Sequence, residues 1–235
     1  MRIVIISDLH ANIEALSSIP EKYDELWVLG DLVDYGPSPA EVIRFVRAHA
    51  SAVVRGNHDH AVAHGVDPRC SPAFREMAEA TMAFTREALT AKDHEYLSGL
   101  PPILERVVDG TRFILCHAAP TDPLFSYVPG ESNRWETEAD ATAADVLLVG
   151  HTHIPFVRHT GGALVVNPGS LGQPKHGSPQ ACYAVWDRGI ELHAFDYPVQ
   201  STAAKIAQMP LSRQVREDLI AVLRSGGQPS GSGQH

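Results

Sequence analysis

Five short blocks of this 235-residue chain carry aspartate, asparagine or histidine directly behind apolar runs. Asp8-x-His10 follows RIVII, Asp31 and Asp34 follow LWVL, and Asn57 and His58 follow Ala52-Val53-Val54. His117 follows FILC, and His151-x-His153 follows VLLV. Imidazole, carboxylate and amide oxygen suit Mn, Fe, Co, Ni or Zn, and no thiolate joins the set, which argues against a structural zinc site. Asp8, His10, Asp31, Asn57, His117, His151 and His153 are too many donors for one ion and suit two ions that share a bridge. Asp31 is the natural bridge because a carboxylate has two oxygens. Two divalent cations set against Asp8, Asp31 and a bridging hydroxide leave an excess of about one positive charge, enough to draw in a phosphate anion; such ions, roughly 3.5–4 Å apart, activate water and clamp an in-line displacement at phosphorus.

These groups meet only if separate strands deliver them to one edge, and in open α/β sheets the carboxyl ends of the strands form the ligand-binding edge. Residues 2–6 and 26–29 predict buried strands, with a helix over 11–19 between them. Ser38 is placed to cap a helix running to about Ala50, with Pro39 in its first position and Glu41 closing a capping box. Val53-Val54 predicts a third strand ending at Gly56, so the first quarter alternates strand and helix. Residues 72–98 predict helix with a second start near Thr90, and Asp109-Gly110 and Gly161-Gly162 mark hairpins. A Pro-rich, irregular stretch with one short helix is expected over 118–140, and a last strand pair over 181–186 and 190–195. Leu211, Val215, Leu219 and Leu223 form the stripe of an amphipathic helix over 211–224. The expected organisation is an α/β fold: a single domain over 1–224 with two sheets, then a disordered Gly/Ser-rich tail over 225–235.

Composition narrows the partners. The net charge is −9 and the 19 Lys and Arg are scattered without a basic stripe, which excludes a grip on long nucleic acid. No apolar run approaches ~18 residues, so no membrane span is expected. The opening MRIVIISDLH lacks a cleavage site, and Cys70, Cys116 and Cys182 form no paired motif, so a cytoplasmic location is expected. A homo-oligomer is left open.

Together Asp8-x-His10, GDLVD (30–34), GNHD (56–59), His117 and GHTH (150–153) resemble the calcineurin-like metallophosphoesterase signature, in family order and across residues 1–196. The resemblance implies a four-layer α/β/β/α sandwich of two mixed sheets flanked by helices. It implies two divalent transition-metal ions, with Mn or Fe foremost and Zn, Ni and Co compatible. One would take Asp8, His10, Asp31 and His153; the other would take Asp31, Asn57, His117 and His151. His58 would protonate the leaving oxygen, with Asp34 orienting it. The family's protein phosphatases carry arginine after GDxVD, where this chain has Tyr35. DLVDYGPSPAEVI and NPGSLGQPKHG look more like the bacterial group of small phosphodiesterases and diadenosine-tetraphosphate hydrolases. The expected activity is therefore hydrolysis of a small phosphodiester, nucleotide or dinucleoside polyphosphate by a metal-bridging hydroxide. The alternatives are a protein phosphatase, or a scaffold like the retromer subunit that resembles these enzymes, although the full donor set and His58 speak for chemistry. Tyr35 and Tyr127 either stack a base or pack on the sheet. Lys175 and His176 either touch a phosphate or lie in a solvated turn. Asn12 either caps the first helix or reaches substrate.

Overall fold

The computed structural model describes residues 1–227. Strand β1 (Ile3–Ile6) is wholly buried, because both faces of its sheet are covered and its side chains alternate between two cores. It pairs in parallel with β2 (Glu25–Val28), which pairs in parallel with β3 (Ala52–Val53). On the other side β1 meets β9 (Ala181–Trp186) antiparallel, and β10 (Ile190–Phe195) closes that edge, giving the order β10-β9-β1-β2-β3. The second sheet comprises β4 (Ile103–Val108), β5 (Thr111–Cys116), β6 (Val146–Leu148), β7 (Phe156–His159) and β8 (Leu164–Asn167), in the order β4-β5-β6-β8-β7. Its three central strands are also parallel. Six strands thus aim their carboxyl ends at the site, three from each sheet.

Alternation along β1 sorts the core. Ile3 and Ile5, with Trp27 and Leu29, face Phe113, Leu115, Val146, Leu148 and Val166 of the second sheet. Phe113 sits edge-on between Trp27 and Trp186, with ring centroids 5.2 and 4.9 Å away, a favoured aromatic geometry. Val4, Ile6, Leu26 and Val28 point outward to a helical layer. That layer includes α1 (Ile13–Ser17), α2 (Pro39–His49), α3 (Asn57–His64), α4 (Arg75–Ala88), α5 (Ala91–Gly99), α7 (Val199–Ile206) and α8 (Arg213–Ser225). On the far side Ile114, Cys116, Leu147 and Val165 pack on Trp135 and Ala139 of α6 (Arg134–Asp140). The result is the expected four-layer α/β/β/α sandwich, with Cys116 in the outer core.

Local chemistry sets the ends of these elements. Asp109 and Gly110 both adopt left-handed φ, 51° and 83°, as a two-residue turn between β4 and β5 demands. Thr90 caps α5 through a capping box with Asp93. Ser38 occupies the cap position of α2, but its backbone, at φ −125° and ψ 52°, makes no side-chain cap bond, and the box with Glu41 does not form. Two helices escape the sequence reading: α3, which begins within GNHDH itself, and the short α7, rich in polar residues. The stripe of α8 is Val215, Leu219, Val222 and Leu223, with Leu211 before its start. Helix α8 runs through Ser225 and Gly226 closes it at φ 61°, so the expected tail boundary falls in the helix's last turn; 228–235 lie outside the described residues. No described helix is long and apolar enough to cross a membrane.

Phe113 joins the two sheets at 0% exposure. Phe113→Ala is expected to lower unfolding stability by about 3–5 kcal/mol, measured by urea denaturation; a loss below about 1 kcal/mol would contradict this account of the inter-sheet core.

Candidate metal centre

Every block singled out in the sequence arrives at one place. Asp8 and His10 leave β1, Asp31 and Asp34 leave β2, and Asn57 and His58 open α3 after β3. His117 leaves β5, while His151 and His153 leave β6. The loops are knitted by main-chain bonds: His10 N–H donates to Asp31 O at 2.9 Å, and Gly150 N–H to His117 O at 2.7 Å. Asn167, at the end of β8, donates to Gly150 O at 2.7 Å and to Thr152 Oγ1 at 3.1 Å, fixing the turn that presents His151 and His153. Asp8, His10, Asp31, Asp34, Tyr35, His151 and His153 all adopt left-handed φ, between 43° and 67°. Such backbone is costly for a residue with a side chain and clusters at functional sites.

Two donor groups result. Asp8, His10 and His153 form one, and Asp31, His117 and His151 the other, each with ligand atoms within 4.8 Å of one another. The hydrogen bonds fix the tautomers. Nδ1–H donates to a carbonyl in His10 (Val33 O, 3.0 Å), His117 (Leu29 O, 2.8 Å) and His153 (Gln173 O, 2.6 Å), which turns each Nε2 inward; in the neutral His10 and His153 that Nε2 is a bare lone pair. The two lone pairs of His10 and His153 then face each other at 3.2 Å, where no proton remains to join them. Asp8 Oδ1 is buried without a hydrogen-bond partner, 3.3 Å from His153 Nε2. Asn57 donates its amide to Pro68 O at 2.8 Å, so its oxygen turns inward, 3.0 Å from His117 Nε2 and 3.1 Å from His151 Nδ1. Converging lone pairs and an orphaned carboxylate oxygen are what a divalent cation would satisfy; the residues fit such ions.

Asp31 stands between the groups. Its Oδ1 accepts from His58 N–H at 2.9 Å, which leaves Oδ2 as the oxygen facing the two donor groups. Oδ2 lies 3.2 Å from His117 Nε2 and 3.8 Å from His10 Nε2. Asp59, left without a role by the sequence reading, explains this placement. Its buried carboxylate accepts from the N–H groups of Asp31 (2.9 Å), Leu32 (2.8 Å) and Gly56 (2.9 Å), tying the loop after β2 to the start of α3. A β-carbon on Gly56 would run into the Asp31 carboxylate, so only glycine permits this approach.

Electrostatics follow burial. Desolvation lowers His10 and His153 well below the ordinary histidine range and His151 to about 3, so these imidazoles stay neutral. Burial also opposes charge on His117, yet the adjoining Asp31 carboxylate raises it to about 9. Asp8 is pushed up to about 6 by burial, with Asp31 adding to the push. Burial opposes charge on Asp31 too, but the neighbouring His117 and His58 hold it well below the ordinary carboxylate range, so it is Asp8 whose surroundings lack positive charge.

Beside the groups lies a cavity of about 440 Å³. His58 opens onto it, with Nδ1–H donating to Asp34 Oδ2 at 2.8 Å. Burial pulls His58 down, but Cys70, Asp31 and the bond to Asp34 outweigh it and hold the imidazolium well above the ordinary range. Tyr35 is 3% exposed; its ring packs 4.8 Å from His10 and 4.9 Å from His58 and also lines the cavity, so it packs and faces the site at once. Tyr127, 60% exposed, stands on the rim. Lys175 is half-buried in the cavity wall with its ammonium 3.4 Å from His153 Nε2, which excludes the solvated-turn reading; desolvation lowers it to about 8. His176 instead rests on Cys182 Sγ at 3.8 Å. Asn12 both caps α1, accepting from Ala15 N–H at 3.1 Å, and donates to Gly172 O at 2.9 Å. The sequence reading missed Arg69, Cys70, Phe74 and Phe125 as lining residues. Nothing local in the irregular segments of Arg69, Cys70 and Phe125 marks them, and Phe74 reads as an ordinary helix residue, whereas Asp59 sits at the third position of a helix start, a legible capping signal.

A four-layer sandwich with two adjoining carboxylate–imidazole groups at its strand ends is the architecture of a metallohydrolase. Residues 1–189 match the calcineurin-like phosphoesterase superfamily domain, and the chain belongs to that superfamily: it is a hydrolase of phosphoric esters, from a family that uses divalent metals. A metallophosphoesterase structure from Sphaerobacter thermophilus is 30% identical with a TM-score of 0.81, covering 96% of this chain and 99% of its own. The phosphodiesterase YfcE of Escherichia coli is 25% identical, over 89% of this chain and all of its own length. A symmetrical bis(5'-nucleosyl)-tetraphosphatase of Vibrio parahaemolyticus is 29% identical over 59% of this chain, which spans only 48% of that relative.

Asp59→Asn would replace an acceptor oxygen with an amide facing three N–H groups. It is expected to weaken divalent-metal affinity by about 10–100-fold, read by competition with a chromogenic chelator; unchanged affinity would remove Asp59 from the account.

Proposed function

We propose that this chain is a two-metal phosphodiesterase or nucleotide hydrolase, acting on a small phosphodiester, nucleotide or dinucleoside polyphosphate. One observation carries the reading: Asp31 Oδ2 faces both donor groups, and the His58–Asp34 pair opens onto the cavity beside them. Asp8, His10, Asp31 and His153 would hold one ion, and Asp31, Asn57, His117 and His151 the other. The imidazole, carboxylate and amide set suits Mn or Fe, with Zn, Ni and Co compatible. When bound, the ions supply positive charge for the phosphate oxygens and lower the pKa of water.

The rest falls to the protein's own groups. His58 presents a protonated imidazole to the leaving oxygen. Asp34, wholly buried and bonded to Nδ1, fixes the ring's orientation and favours its charged form. Lys175 adds positive charge beside the first donor group. Tyr35 walls the inner cavity and Tyr127 offers an exposed ring at its mouth for an aromatic or nucleoside moiety. The domain that does this is taken as residues 1–224. The relatives that support the substrate range are named a phosphodiesterase and a tetraphosphatase.

The purified protein is expected to hydrolyse bis-nitrophenyl phosphate with added manganese, to fall silent on chelation and to recover on metal return. Silence across manganese, iron, zinc, cobalt and nickel would point to a scaffold. In a companion experiment, His58→Ala is expected to cost about 10²–10⁴-fold on alkyl esters and far less on nitrophenyl esters, whose leaving group departs without a proton. Equal losses on both would refute the acid role.

A further inference from the structure

The cavity holds a cation that the mechanism does not use. Arg69 is exposed, lines the cavity and rests its guanidinium carbon 4.3 Å over the ring of Phe125. Among the described residues its side chain meets no carboxylate, whereas Arg112, Arg134 and Arg213 each meet a glutamate. Its origin is bracketed by two anchors to the site. Pro68 O accepts from the amide of Asn57 at 2.8 Å, and Cys70 Sγ lies 3.3 Å from His58 Nε2. Arg69 itself adopts a left-handed φ of 58°, with its N–H donating to Asp67 Oδ1 at 2.7 Å. Non-glycine residues seldom adopt that conformation. The backbone therefore holds Arg69 between a residue bonded to Asn57 and a residue beside His58, with its guanidinium on the wall of the same cavity that His58 lines.

We propose that Arg69 is a specificity-determining residue that binds a second phosphate group, one carried by the leaving fragment and not itself under attack. The inference rests on the phosphoester reading above. A guanidinium offers paired donors that match phosphate oxygens, and its planar face lies on an aromatic ring without spending those donors. Lys175, 4.1 Å over Phe74, already places one ammonium beside the first donor group, where the attacked phosphate would sit. A second cation in the cavity, held over a different ring from Lys175, is surplus to a substrate with a single phosphate. It suits a leaving group that is itself phosphorylated, whether the second phosphate is joined directly or set across a sugar.

The test uses manganese-loaded protein with bis-nitrophenyl phosphate as reporter. Adenosine monophosphate, adenosine diphosphate and adenosine 3′,5′-bisphosphate serve as competitors. At least one of the two-phosphate nucleotides is expected to inhibit about tenfold or more better than the monophosphate, the size of a charge-assisted hydrogen bond. Arg69→Ala should bring that ratio close to one, and Arg69→Lys should retain part of it. Which bisphosphate wins tells whether the second phosphate is adjacent or across the sugar. A wild-type ratio near one, or a ratio that survives Arg69→Ala, overturns the proposal. If the reporter is not hydrolysed, the hydrolase reading fails by itself. The same three ligands are then titrated calorimetrically against both proteins, and the preference and its loss decide the Arg69 proposal independently.

Discussion

The carboxylate of Asp31 has to serve three directions at once. Its Oδ1 is taken by the N–H of His58, so its Oδ2 has one orientation left, between the two donor groups. The peptide that carries it is gripped from behind by Asp59, which holds Gly56 with the same carboxylate. A shift of this one side chain would therefore move His58, the start of α3 and both donor groups together. The glycine at position 56 is the spatial condition for it, because nothing larger fits against that carboxylate.

Strain around the site is distributed rather than local. Seven site residues occupy left-handed backbone, each at a cost of roughly 1–3 kcal/mol for a non-glycine residue. The cost is offset by main-chain bonds from loop to loop, such as Ala11 N–H to Leu32 O at 2.9 Å and Gly172 N–H to Asp8 O at 3.0 Å. The residue types help: aspartate and histidine enter this region more readily than branched or bulky residues do. The parallel strands bring the loops close, and the loops then turn their side chains back over the strand ends.

Much of this was legible in the residues. Apolar runs of three to five residues leading into Asp, Asn or His marked the strand ends, and the hairpin at Asp109-Gly110 followed from turn chemistry. The candidate donors were found because side-chain chemistry is written in residue type. What stayed hidden depends on backbone angles and on distance in sequence. The left-handed loops cannot be read from composition. Arg69 and Phe125 lie 56 residues apart and meet only in the fold. Polar Gln200, Ser201 and Thr202 masked α7, and the histidines of GNHDH drew attention to ligation and away from the helix they begin.

The candidate donors come from both sheets: Asp8, His10, Asp31 and Asn57 follow the strands of one, and His117, His151 and His153 those of the other. Ions seated among them would rivet the halves of the sandwich along its open seam. Their binding energy would add to folding energy by mass action, since the separated halves of an unfolded chain cannot offer the same cage. Starvation for metal would then reach beyond silenced chemistry, loosening the join between the sheets and shortening the life of the molecule.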